Sequence, residues 1–98
     1  MAEKAGVIVY TAPNCGYCSA AKNLLRNKGV AFEEINVGYD PALRQELITR
    51  SGGRRTVPQV FIANQALGGY DDIAALNASG ELDKLLEAHH LTTKRDDS

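Results

Sequence analysis

The chain has no tryptophan, only two cysteines and only six aromatic side chains, four Tyr and two Phe, among 98 residues. Two cysteines are too few for a disulfide-dense mini-protein. No apolar run approaches the roughly 20 residues that span a bilayer. The stretch Met-Ala-Glu-Lys-Ala-Gly before Val7 has no apolar signal-peptide core, so a reducing, cytoplasmic location is expected. Nor does one sign of charge dominate. Eleven Lys and Arg against twelve Asp and Glu leave a net charge of −1, too weak a field to recruit nucleic acid or an anionic membrane. What is present is ordinary globular usage, 44% apolar and 23% charged, without repeat, linker or low-complexity segment. These counts exclude a disordered tail protein and a fibrous repeat. A single domain over 1–98 is expected, with its core at about 6–88 and a frayed polar tail at 92–98.

The small net charge conceals an uneven distribution. Residues 15–55 hold seven basic and four acidic side chains, whereas residues 56–98 hold three and seven. The first of these stretches can attract an anionic ligand.

Val7–Tyr10 is β-branched and aromatic, as a buried strand is. Thr11-Ala12-Pro13-Asn14 breaks it, and the apolar spacing of Cys18, Ala21, Leu24 and Leu25 predicts a helix from Cys15 to about Lys28. Gly29 suits its left-handed end. Val30–Val37 reads as a second strand. Asp40-Pro41 is a helix start, because Asp caps free amides and Pro lacks only an N–H that would be unpaired there. Leu43, Leu47 and Ile48 form the inner face of that helix, and Gly52-Gly53 ends it. Val60-Phe61-Ile62 is a third strand, and Ala63–Ala66 turns it into a short fourth ending at Leu67. Asp71 or Asp72 can cap a helix running through Leu76, and Leu82, Leu85 and Leu86 mark a last one. The order β-α-β-α-β-β-α-α predicts an α/β domain of the thioredoxin-like kind, a four-stranded mixed sheet with helices on both faces.

The sharpest chemical signal is Cys15-Gly16-Tyr17-Cys18. Chance would place two lone cysteines three apart in about 2% of arrangements, and strand, turn and helix around a C-x-x-C make it a redox motif. Cysteines three apart at a helix start share one side of the helix and can bridge. A structural zinc site needs four ligands, and only His89 and His90 remain, in a polar stretch at the wrong spacing, so no metal is expected in the main reading. Position assigns the roles. Cys15, at the helix start, has unpaired amides and the macrodipole to stabilise a thiolate, which makes it the nucleophile and a good leaving group. Cys18, one turn on and on the apolar face, is the resolving thiol.

Two further segments stand out. Thr56-Val57-Pro58 precedes a strand with a proline whose peptide bond can be cis at modest cost. Gly68-Gly69-Tyr70-Asp71-Asp72 leads into a helix, where backbone amides can cradle a carboxylate and Asp72 can meet an ammonium group. Together with Thr11-x-x-x-Cys15-Gly-Tyr-Cys18, these segments resemble the glutaredoxins, in particular the short bacterial dithiol kind, over roughly residues 6–88. A thioredoxin would carry W-C-G-P-C instead.

The resemblance implies a cis Pro58 facing the cysteines and a glutathione groove. In such a groove the Val57 backbone pairs with the tripeptide as an added strand does, and Thr56 and Tyr17 form walls. The amides of Tyr70 and Asp71 hold the γ-glutamyl carboxylate, with Gly69 beside them and Asp72 near the amine. Arg55, and in second place Arg54, meets the glycine carboxylate. The implied activity is glutathione-dependent reduction of protein disulfides and of glutathione mixed disulfides, by a monomer. Three positions depart from the family pattern: Ala12 replaces a frequent lysine, Tyr70 a smaller residue and Gly16 a common proline. A small residue in that last place also resembles cluster-binding glutaredoxins. The alternative is therefore a homodimer bridged by a [2Fe–2S] cluster, with Cys15 and glutathione as ligands.

Overall fold

A computed structural model describes residues 6–89 of the chain. The expected tail at 92–98 and His90 lie outside the described residues. The elements are β1 (Val7–Thr11), α1 (Gly16–Asn27), β2 (Glu33–Asn36), α2 (Pro41–Arg50), β3 (Gln59–Ile62), β4 (Gln65–Gly68), α3 (Tyr70–Ser79) and α4 (Glu81–Ala88). The order expected from the sequence is present throughout. The sheet runs β2-β1-β3-β4, with β1 parallel to β2 and antiparallel to β3, and β3 antiparallel to β4.

All of β1 is buried, and its alternation divides the core in two. Val7 and Val9 face one way, into a cluster with Ala21, Leu25, Val60, Ile62, Ile73, Leu82 and Leu86. This packs α1, α3 and α4 on that face. Ile8 and Tyr10 face the other way and meet Val37, Leu47 and Phe61, which seats α2. Tyr10 is fully buried, yet its hydroxyl donates to Glu46 Oε2 at 2.9 Å and accepts from Arg50 Nη1 at 2.7 Å. A buried phenol needs such partners, because an unsatisfied one would cost a hydrogen bond's worth of desolvation.

Several boundaries differ from expectation, each for a local reason. The second strand is only Glu33–Asn36, preceded by an isolated bridge at Val30, whose amide bonds Leu25 O at the end of α1. As an edge strand it tolerates Glu34 facing solvent. The turn after β3 is only Ala63-Asn64, both with positive φ (51° and 67°), so β4 begins at Gln65. That is the geometry of a two-residue hairpin turn. Neither Asp71 nor Asp72 is the N-cap of α3. Gly69 holds that place, and Asp72, in the first turn, returns its carboxylate to the Gly69 amide at 3.0 Å. The α2 start is as expected: Asp40 accepts from Ala42 N at 3.0 Å and Leu43 N at 3.1 Å.

Candidate active site

One end of the sheet gathers every segment singled out in the sequence. The exit of β1, the approach to β3 and the exit of β4 lie side by side there, because Tyr10 pairs with Gln59 and Val60 with Gly68. The loop after β1 brings the chain to Cys15, which is the N-cap of α1 rather than its first residue. Its backbone is extended, and its Sγ accepts from Cys18 N at 3.1 Å. The Cys15 sulfur thus takes up one of the amides that a helix start leaves unpaired.

The two thiols occupy different surroundings. Cys15 is half-buried, and its Sγ lies 3.9 Å from Val57 O. Cys18 is only 3% exposed, on the inner face of α1 with Ala21 and Leu25. Burial, followed by the contact with Cys15, pushes the Cys18 thiol up from 9.0 to about 11. Desolvation disfavours the thiolate, so Cys18 stays protonated where an exposed thiol would begin to ionise.

Cys15 adjoins one cavity through Val57 and lines another. The first, of about 250 Å³, is lined by Tyr17, Arg54, Thr56, Val57, Pro58, Gly69, Tyr70, Asp71 and Asp72. The Val57–Pro58 peptide bond is cis. Tyr17 and Tyr70 stack with ring centroids 6.0 Å apart. Arg54 Nη2 reaches Asp72 Oδ2 at 3.4 Å. Eight of the nine residues expected to bind glutathione therefore line one groove. Arg55 is not among its lining residues, whereas Arg54, in second place from the sequence, is; both arginines are exposed. Two adjacent arginines in a loop carry no periodic signal that would tell them apart. Thr56 also fixes the buried Gln59 amide, accepting from its Nε2 at 3.2 Å.

The second cavity, of about 460 Å³, borders both cysteines and is lined also by Thr11, Lys22, Glu34 and Asn36. Here Glu34 accepts from Thr11 Oγ1 at 2.7 Å and from Lys22 Nζ at 3.0 Å. Those bonds, Thr11's above all, hold the Glu34 carboxyl below its usual range. Sequence reasoning missed this trio, which joins residues from β1, α1 and β2. The i,i+4 placement of Lys22 after Cys18 was the available signal. His89 is exposed beyond α4, and among the described residues no group of three His, Cys, Asp or Glu side chains could hold a metal ion.

The glutaredoxin family model matches residues 7–67. The chain belongs to the glutaredoxin family. It is 52% identical over 83 residues to glutaredoxin 3 of Escherichia coli K12, a match covering 85% of this chain and 99% of that protein. A solution structure of glutaredoxin from Brucella melitensis is 48% identical, with a TM-score of 0.73, over 87% of this chain and 91% of the other. A buckwheat glutaredoxin in complex with glutathione superimposes with a TM-score of 0.80 at 28% identity, over 90% of this chain and 82% of the other. The fold is accordingly thioredoxin-like, and the chemistry of this glutaredoxin's Cys15–Cys18 pair is thiol–disulfide exchange.

Proposed function

We propose that this glutaredoxin is a glutathione-dependent disulfide oxidoreductase of the cytoplasm, acting as a monomer on glutathionylated proteins and protein disulfides. The observation that carries this reading is the groove beside Cys15. It offers the Val57 backbone 3.9 Å from Cys15 Sγ, the Tyr70 and Asp71 amides at the start of α3, and the paired Arg54 and Asp72 side chains, with Asp71 a second carboxylate on the lining. A tripeptide with a central thiol, two carboxylates and one ammonium group complements that set. Its backbone can pair with Val57 as an added strand. Its glutamyl carboxylate suits the helix amides. Asp72 suits the ammonium group, and Arg54 can exchange Asp72 for a carboxylate of the ligand. The buckwheat complex supports the same ligand.

On a glutathionylated protein, the Cys15 thiolate attacks the glutathione sulfur, and the protein thiolate departs. A second glutathione thiolate then attacks the Cys15-bound glutathione, releasing glutathione disulfide and restoring Cys15. On a protein disulfide, Cys15 takes one sulfur, and Cys18 attacks Cys15 to release the reduced protein and leave a Cys15–Cys18 disulfide. Two glutathiones reduce that disulfide in turn. The raised pKa of Cys18 keeps few thiolates available for attack at neutral pH, which favours glutathione over Cys18 in resolving the glutathionyl adduct.

Cys15→Ser should abolish turnover of both substrates, while Cys18→Ser should spare deglutathionylation and lose most protein-disulfide reduction. Equal losses in the two variants, with the fold intact by circular dichroism, would contradict the division of roles.

One observation favours the cluster alternative as an added property. A Cβ at Gly16 would meet nothing within 4 Å, so the space beside Cys15 is open. With Cys18 buried, the chain offers one accessible cysteine sulfur. Such a donor set fits a [2Fe–2S] cluster only with a second copy and two glutathiones supplying the other ligands. A cluster held this way would make the dimer an iron–sulfur cluster carrier. An anaerobic visible spectrum with size exclusion, after iron, sulfide and glutathione are supplied, separates a coloured dimer from a colourless monomer.

A further inference from the structure

Tyr17 is the second residue of α1, between the two cysteines, and its side chain is 66% exposed. An aromatic side chain so exposed ordinarily samples several rotamers, and a ligand that uses it as a wall must first immobilise it. Here a second ring is already in place. Tyr70 opens α3 and is half-buried, packed against the core cluster beneath α1 and α3. Its ring lies 6.0 Å from that of Tyr17 at an interplanar angle of 29°, a stacked pair. Both rings line the groove beside Cys15. One end of the stack is thus anchored in the core and the other stands over the site.

We propose that Tyr70 is a positioning residue for Tyr17, holding that ring as a preformed wall against the tripeptide arm of a glutathione mixed disulfide and so adding to selectivity for it. The inference rests on the glutathione reading above. Tyr70 acts by removing an ordering cost from binding, so its effect falls mainly on KM. The size of the effect follows from what one stacked aromatic pair is generally worth, roughly 2- to 12-fold in affinity.

The test compares kcat/KM for one peptide carrying either a glutathionyl or a cysteinyl mixed disulfide. It is measured for the wild type, Tyr17→Leu, Tyr70→Leu, the double variant and Tyr70→Phe. The glutathionyl preference should fall about 2- to 12-fold in each Leu variant, chiefly through KM. The double variant should fall little further than the singles, and Tyr70→Phe should keep the preference. Proton NMR gives a readout independent of substrate: the Tyr17 ring signals, shifted by the Tyr70 ring current, should move in Tyr70→Leu and stay in Tyr70→Phe. Multiplying losses in the double variant, an undiminished preference in Tyr70→Leu, or unmoved Tyr17 signals would each overturn the positioning role while leaving the glutathione reading standing. A wild-type preference near one would overturn both.

Discussion

Limited alkylation of the reduced protein should distinguish its two thiols by more than their order in the chain. Cys18 is pushed up from 9.0 to about 11, chiefly by burial. At pH 7 a thiol at 9.0 is about 1% thiolate and one at 11 about 0.01%, a difference of about 100-fold in the reactive form. An exposure of 3% slows reagent access further. Less than one equivalent of iodoacetamide, pulsed at pH values from 6 to 10 and followed by peptide mass mapping, should therefore label Cys15. The Cys18 rate should climb about tenfold per pH unit until roughly pH 11. Cys15→Ser removes the neighbour's contribution but not the burial, so Cys18 should stay slow at pH 7 in that variant too. Cys18 labelling within threefold of Cys15 at pH 7, or a plateau already near pH 8, would refute the reasoning. The same shift has a stability consequence. A thiol whose folded pKa is raised stabilises the fold fully below about pH 9, and that contribution disappears as pH rises through about 11. The loss is roughly 2–3 kcal/mol and should be absent from Cys18→Ala in alkaline urea melts.

Gly68→Ala places a side chain at φ +109°, where its Cβ would collide with the Asp72 carboxylate. Backbone strain of about 1–2 kcal/mol and the displaced Asp72–Gly69 bond should together cost roughly 2–3 kcal/mol. Thermal melts should fall by about 8–20 °C; a drop below about 4 °C would show that the loop absorbs the change. Glu34→Gln tests the trio in the second cavity. A carboxyl held below its usual range stabilises the fold above the ordinary pKa and stops doing so as pH falls through the lowered value. The side chain is 37% exposed, so the deficit of the variant at pH 7 should be under about 1 kcal/mol and should shrink as pH falls below the ordinary carboxyl range. A deficit that does not shrink with acid would assign the effect to packing instead of charge.

Much of the molecule was legible in the sequence because its signals are local. Asp40-Pro41 announces α2 by capping chemistry alone, and the spacing of Cys18, Ala21 and Leu25 describes the buried face of α1. The cysteine pair, read with the strand before it and the helix after it, pointed to redox chemistry. The rest turns on backbone partners and loop paths that composition does not show. Val30 keeps only an isolated bridge, its amide engaged by Leu25 O, and β2 starts at Glu33. Asp72 has the composition of a cap, yet it acts from the first turn of α3 because Gly69 supplies the extended backbone of the N-cap. Arg54 and Arg55 are chemically identical, and only the path of the loop turns one toward Asp72. The stack of Tyr17 on Tyr70 joins positions 53 residues apart, and neither residue advertises the other.

The sheet also has a far end. The Ala63-Asn64 turn lies there, with the Ala63 amide bonded to Gly6 O at 2.8 Å, so the start of β1 and the hairpin tip are neighbours. A five-residue strand separates them from the Cys15 side by roughly 15 Å. That end is the natural handle of the molecule. A surface linkage or an inserted peptide at Asn64, or a fusion partner ahead of Gly6, would leave the reactive end facing outward, and chain breaks introduced by circular permutation belong at that tip.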